Sequence, residues 1–269
     1  MAAPTAAHSP GANSAARPLR PTQKKWPFPL NLYQTSVGKK WAMGVTGLML
    51  VGFVLAHMAG NLKLYIGIVE HNGENIYDAD VYAEFLRELL VPLFPHGVVL
   101  WLLRVGLIGA FGLHIHAAYS LTRLNAQSNF AYESKRDWLA ANFASRSMRY
   151  TGIIVLAYLI FHLADLTWGW IPGTEWEYGE VQSNVVNSMS NPAIAIIYIV
   201  ANTLLAVHIF HGVYSMFQTL GINNPQYNNL RRYVAGGLSL LILVGNVSFP
   251  IAVLTGVIEY DPSLLGPVG

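Results

Sequence analysis

Of the chain's 269 residues only 11% are Asp, Glu, Lys or Arg, while 53% are hydrophobic; a soluble globular protein carries about 25% charge. That is too little charge to clothe a soluble surface, and 12% aromatics exclude disorder across most of the chain. The absence of cysteine removes disulfide scaffolds, thiolate zinc sites, protein-ligated iron–sulfur clusters and cysteine nucleophiles. A net charge of +2 gives no footing for nucleic acid. The class that is left is a membrane protein.

Residues 1–30 are rich in Ala, Pro and Ser, with Arg17, Arg20, Lys24 and Lys25 and no apolar run. A secretory signal needs a hydrophobic core of about 7–15 residues, so this segment reads as a flexible cytoplasmic arm. Five long apolar stretches follow, at 41–68, 97–122, 149–171, 192–220 and 234–258. Each meets the ~20 residues needed to cross the hydrocarbon as a helix, so the expected fold is all-α. A barrel would need alternating strands of about ten residues, and none is seen. Between the first two stretches, 76–92 carries apolar residues at helical spacing and is expected to be an amphipathic helix at the outer interface, as connector or as cap. No solenoid period and no internal duplication is visible. The domain reading is therefore an arm (1–32), a five-helix membrane domain (33–258) and a short outer tail (259–269).

Charge sorts by side. Lys39 and Lys40 with the arm, then Arg123, Lys135, Arg136, Arg146 and Arg149, then Arg231 and Arg232, place thirteen of the sixteen basic residues on one side. The positive-inside rule makes that side cytoplasmic. Glu70, Glu74, Asp78, Asp80, Glu84, Glu88, Glu175, Glu177, Glu180, Glu259 and Asp261 fall on the other. The N-terminus is thus expected inside and the C-terminus outside.

Six of nine histidines lie within the helices: His57 in the first, His114 and His116 in the second, His162 in the third, His208 and His211 in the fourth. An ionisable residue inside a span is costly and marks function by default. Read without a cofactor, any one of them would hydrogen-bond across the bundle. Four successive helices each bearing histidine is the pattern that bis-histidine ligation of two haems in a bundle requires. At 1.5 Å per residue, His57 and His162 lie about 24 and 20 Å from the inner ends of their helices. His114 and His208 lie about 12 and 18 Å from theirs. The first two therefore make an outer pair and the second two an inner pair. His114 and His116 stand about 200° apart round the helix and cannot serve one site together. His208 and His211 share a face, and depth slightly prefers His211.

The runs TGLMLVGFVLAHMAGNLKLYIG (46–67), YTGIIVLAYLIFHLADLTWG (150–169) and HIFHGVYSMFQTLG (208–221) resemble the single-chain, five-helix dihaem cytochrome b anchors of bacterial succinate:quinone oxidoreductases. The start of the first helix, SVGKKWAMGVTGL (36–48), looks like the family's too, and the resemblance extends over about 33–258. It implies that His57 and His162 hold the distal haem b. The family's His-x-x-x-Gly pattern fits His208, Gly212 and Gly221, and its Leu-Thr-x-x-Asn fits Leu121, Thr122 and Asn125. These select His208 and His114 for the proximal haem b, with His211 and His116 as runners-up. The resemblance further implies two partners, a flavoprotein and an iron–sulfur subunit, meeting the basic cytoplasmic loops. The succinate active site would lie in a partner. Electrons would pass inner haem to outer haem to a quinone, usually menaquinone, in the bacterial inner membrane. Physiological direction and oligomeric state are left open. A cytochrome b anchor of a hydrogenase or formate dehydrogenase, or a haem-free anchor or transporter, are the competing readings.

Five polar residues complete the candidates. Arg104, about 15 Å outward of His114, is a partner for an outer-haem propionate or a residue snorkelling at the interface. Ser145, Arg146 and Arg149 sit where inner-haem propionates would point. Asp165, three residues after His162 and near the outer surface, is a proton relay or the cap of a solvated helix end.

Overall fold

The computed structural model describes residues 26–28, 30–127, 135–221, 224 and 228–267. The basic arm at 1–25 and the side chains of Asn125, Lys135, Arg136, Ser145 and Arg146 lie outside the described residues. A short helix α1 (Leu30–Tyr33) precedes the first long helix, α2 (Ser36–Asn61). Thr35 separates them: its Oγ1 donates to Leu32 O at 2.8 Å and accepts from Gly38 N at 2.9 Å, which satisfies an orphan amide at the start of α2. A 3-10 turn, Leu62–Tyr65, ends the span.

A feature the sequence reading did not expect comes next. Strands β1 (Ile68–His71) and β2 (Glu74–Tyr77) form an antiparallel hairpin. Asn72 and Gly73 turn it with φ of 55° and 83°, the left-handed pair that a two-residue hairpin turn demands and that Asn-Gly supplies. The helix expected over 76–92 is present but shorter, as α3 (Asp78–Arg87). It cannot run on, because Leu90 has φ of 64° and Pro92 lacks the amide a helix needs.

The other spans are α4 (Val98–Gln127), α5 (Lys135–His162), α7 (Pro192–Thr219) and α8 (Asn228–Leu254). Between α5 and α7 lie a π-helical turn, Leu163–Thr167, and a nine-residue helix α6 (Val181–Met189) that the sequence reading missed. Asn191 caps α7 by accepting from Ala193 N at 3.0 Å, and Pro192 takes the first-turn position where its missing amide costs nothing. Among the described residues five segments are long and apolar enough to cross a membrane: Ser36–Tyr65, Val98–Leu124, Ser147–Thr167, Pro192–Thr219 and Asn228–Leu254. Large apolar side chains such as Trp101, Leu102, Leu103 and Ile108 stand exposed along α4. A soluble protein rarely leaves such a continuous apolar surface bare; lipid explains it. This is an all-α integral membrane fold.

Helix α2 packs on α4, α7 and α8, while α5 packs on α7 and α7 on α8. One core lies between α7 and α8, built on Ile209, Val213, Ala235 and Ile242. A second gathers Met58, Leu64, Met189, Tyr198, Phe249 and Ile258 at the end that carries the acidic loops. There the connections and the C-terminal tail form one folded cap. A two-residue strand β3 (Gly266–Pro267) pairs with β2. Tyr77 Oη accepts from Asp261 N at 2.8 Å, and Gln182 Nε2 donates to Glu259 O at 2.9 Å.

Candidate cofactor-binding site

The histidines of α2 and α5 meet. The His57 and His162 rings lie 5.9 Å apart between centroids, at 83° to one another. Phe53, one turn earlier on α2, stacks on His57 at 5.5 Å. Around His162 stand Tyr158 at 5.9 Å and Tyr198 of α7 at 6.0 Å. His114 of α4 and His208 of α7 lie within electrostatic reach of each other, with His211 also near His208. So α2 with α5, and α4 with α7, each bring an imidazole to a shared place.

The inner two histidines are held in the same way, each by the neighbouring helix. Thr46 Oγ1 donates to Ala42 O at 2.6 Å, which leaves its lone pair to face His114 Nδ1 at 3.2 Å. Met43 O lies 3.2 Å from that same nitrogen. On the other side Thr151 Oγ1 donates to Ser147 O at 2.8 Å and faces His208 Nδ1 at 3.2 Å, and Met148 O bonds His208 as well. Both surroundings are acceptors, so the hydrogen-bond network assigns the proton to Nδ1 and leaves the Nε2 lone pair free. A metal-ligating histidine is held in that tautomer by such an outer bond. Glycine admits each ring: a Cβ at Gly47 would stand 3.2 Å from His114 Cε1, and one at Gly152 3.4 Å from His208 Cε1.

These supports reveal a repeat that inspection of the sequence overlooked. Met43, Thr46, Gly47 and His57 recur at one constant offset as Met148, Thr151, Gly152 and His162. Helices α2 and α5 are thus built alike, each cradling a histidine of the next span and carrying one of its own eleven residues after the threonine.

The remaining candidates are placed as follows. His116 is exposed and turned to α1, where Tyr33 Oη lies 2.6 Å from its Nδ1. Arg104 is exposed, its guanidinium 5.2 Å from the Trp101 ring centroid, the cation–π geometry of a snorkelling arginine. Arg149 is exposed at the start of the third span. Asp165 corrects the expectation of a solvated helix end: it is 1% exposed. Its Oδ2 accepts from Ser188 Oγ at 2.6 Å and from Tyr198 Oη at 2.7 Å. The π-helical turn after His162 rotates it into the bundle.

The donor set can be tested against haem. Among the described residues no three His, Asp or Glu side chains gather to hold an ion; the imidazoles come in pairs. Two nitrogens are too few to enclose a bare transition metal, but they suffice where a macrocycle supplies the remaining donors. His57 and His162, their rings 5.9 Å apart between centroids, are the residues that would hold such a group from α2 and α5. The residues fit the group.

Fold and site together define a five-span helical membrane protein with paired intramembrane histidines. Residues 134–245 match the family described as succinate dehydrogenase/fumarate reductase transmembrane subunit, a match that supports a membrane subunit of that kind. The matched stretch contains His162, His208, Asp165 and Tyr198, and neither His57 nor His114. No curated protein and no solved structure matches the chain.

Proposed function

We propose that this chain is the dihaem cytochrome b anchor of a bacterial succinate:quinone oxidoreductase, single-chain type, lying in the cytoplasmic membrane with its basic loops inside. The observation that carries the reading is the pairing of four histidines from four spans, His57 with His162 and His114 with His208, with the Nδ1 sides of three of them hydrogen-bonded. Bound at these two places, haem b would supply one-electron transfer between the two membrane faces. The chain's own residues orient the imidazoles, keep Nε2 available and exclude water with a packed apolar shell. Arg149 on the basic side and Arg104 toward the acidic side are the proposed cations for haem propionates.

With no cysteine in the chain, iron–sulfur relay must come from a partner, and the flavin-dependent oxidation of succinate from a second. A quinone, menaquinone in this reading, takes the electrons. The decisive measurement is a reduced-minus-oxidised optical spectrum of the purified complex, with its subunits identified. A b-type α-band, two haems per polypeptide and co-purifying flavoprotein and iron–sulfur subunits are expected. A complex without a b-type band sinks the cytochrome reading, and a nickel or molybdenum partner reassigns the dehydrogenase.

A further inference from the structure

The repeat that unites α2 and α5 stops just past the histidines. Three residues after His57 stands Gly60, packed so closely on Tyr82 that a Cβ there would lie 2.7 Å from Tyr82 Cε1. Three residues after His162, at the corresponding position, stands Asp165. A carboxyl buried in a membrane bundle is expensive and calls for a purpose. This one is not a helix cap and touches no arginine or lysine in the described hydrogen bonds. Its Oδ1 is buried with no hydrogen-bond partner among the described residues, so its bonding runs through Oδ2.

Donor and acceptor roles along that path are fixed. Tyr198 Oη donates to Asp165 Oδ2 at 2.7 Å, so the phenol oxygen faces His162 Nδ1, 3.4 Å away, as an acceptor. The chain is His162 Nδ1–H to Tyr198 Oη–H to Asp165 Oδ2, with Ser188 anchoring the far end. The inner pair has no counterpart: there Nδ1 meets a threonine hydroxyl and a backbone carbonyl on both sides.

We infer that Asp165 is a positioning residue which, through Tyr198, hydrogen-bonds the Nδ1 side of His162 and makes the outer haem ligand more electron-donating than its three fellows. This rests on the haem reading above. An outer-shell carboxyl raises the basicity of a ligating imidazole, and a more basic ligand favours the oxidised metal. The outer centre is therefore held at a lower potential than its ligands alone would set.

The test is a potentiometric titration of the α-band in membranes carrying the complete complex. His162→Ala removes one component and so identifies the outer haem. In Asp165→Asn and in Tyr198→Phe that component should shift to higher potential while the inner component stays in place. A Tyr198→Phe complex that keeps both haems with neither potential moved, or with both moved equally, overturns the inference while leaving the cytochrome reading intact. If Asp165→Asn does not assemble, Tyr198→Phe, which keeps the ring and deletes only the oxygen, decides alone. A wild-type complex without haem would defeat the functional reading itself, and the inference with it.

Discussion

Threonine in a helix ordinarily spends its hydroxyl on the carbonyl one turn back, and Thr46 and Thr151 do so. What sets them apart is the second contact, with the histidine of the adjacent span at 3.2 Å. Removing it by Thr46→Val or Thr151→Val leaves Nδ1 on a methionine carbonyl, so a loss of about 1 kcal/mol in site stability is expected, with both haems retained at saturating haem. Gly47→Val is harsher. Its Cβ alone would stand 3.2 Å from His114 Cε1, and the two γ-methyls add bulk beside the ring. Half of the α-band intensity should disappear, and the surviving component should be the one that His57→Ala abolishes. Full intensity would mean that His114 is no ligand. The histidines were readable in the sequence because ionisable groups in apolar spans stand out. Their supports were not, since a threonine and a glycine in a membrane helix are commonplace singly; only the constant spacing of Met, Thr, Gly and His across two helices would have exposed them.

Between elements, two contacts carry the cap and the bundle. Met58, the neighbour of His57, packs against Gly245 of α8, where a Cβ would overlap the methionine sulfur and come within 2.9 Å of its Cγ. Overpacking of this kind costs about 1–3 kcal/mol, so Gly245→Ala should lower the melting temperature of the purified protein. Because Met58 adjoins His57, it should also loosen the outer haem before the inner one. At the acidic end, Asp80 Oδ1 accepts from Val181 N and, at 3.1 Å, from Gln182 N, tying α3 to the first turn of α6. Burial pushes its carboxyl from 3.8 up to about 6; Glu180 adds to the rise, while the two amide bonds and Arg87 oppose it. Folded protein thus keeps this proton through a range where the unfolded chain has released it. The stability contributed is fully present below the unfolded value and declines as pH rises through about 6. Thermal melts of wild type and Asp80→Asn between about pH 4 and about pH 7 should differ in slope, the asparagine variant lacking this decline. Parallel slopes would show that Asp80 titrates normally. Spans were legible from hydrophobic length alone. The cap was harder, because α6 is only nine residues long, is rich in Ser, Asn and Gln, and has no capping side chain of its own. Its cap comes from Asp80, about a hundred residues away in sequence.

At the scale of the molecule, charge and folding divide the two ends. Acidic connections, the hairpin and the tail interlock over one end, while Lys39, Lys40, Arg123, Arg231 and Arg232 mark the other. With five candidate spans the connections between them alternate in side, so a single labelling experiment fixes every loop. The chain has no cysteine, which makes each introduced thiol a unique reporter. Ser263 belongs to the exposed tail at the acidic end, and Ser128 falls in the basic connection between α4 and α5. If basic residues face the cytoplasm, a membrane-impermeant maleimide should label Ser263→Cys in intact cells and Ser128→Cys only after lysis. The reverse pattern would turn the molecule over and put the proposed docking face for the flavoprotein and iron–sulfur partners outside the cell, where those partners could not reach it. Labelling of Ser128→Cys in lysed membranes carries a second reading. Partner subunits seated on the basic face should slow the reaction there and leave Ser263→Cys unaffected. Stripping those subunits with a chaotrope should restore the rate, and an unchanged rate would place the docking surface elsewhere.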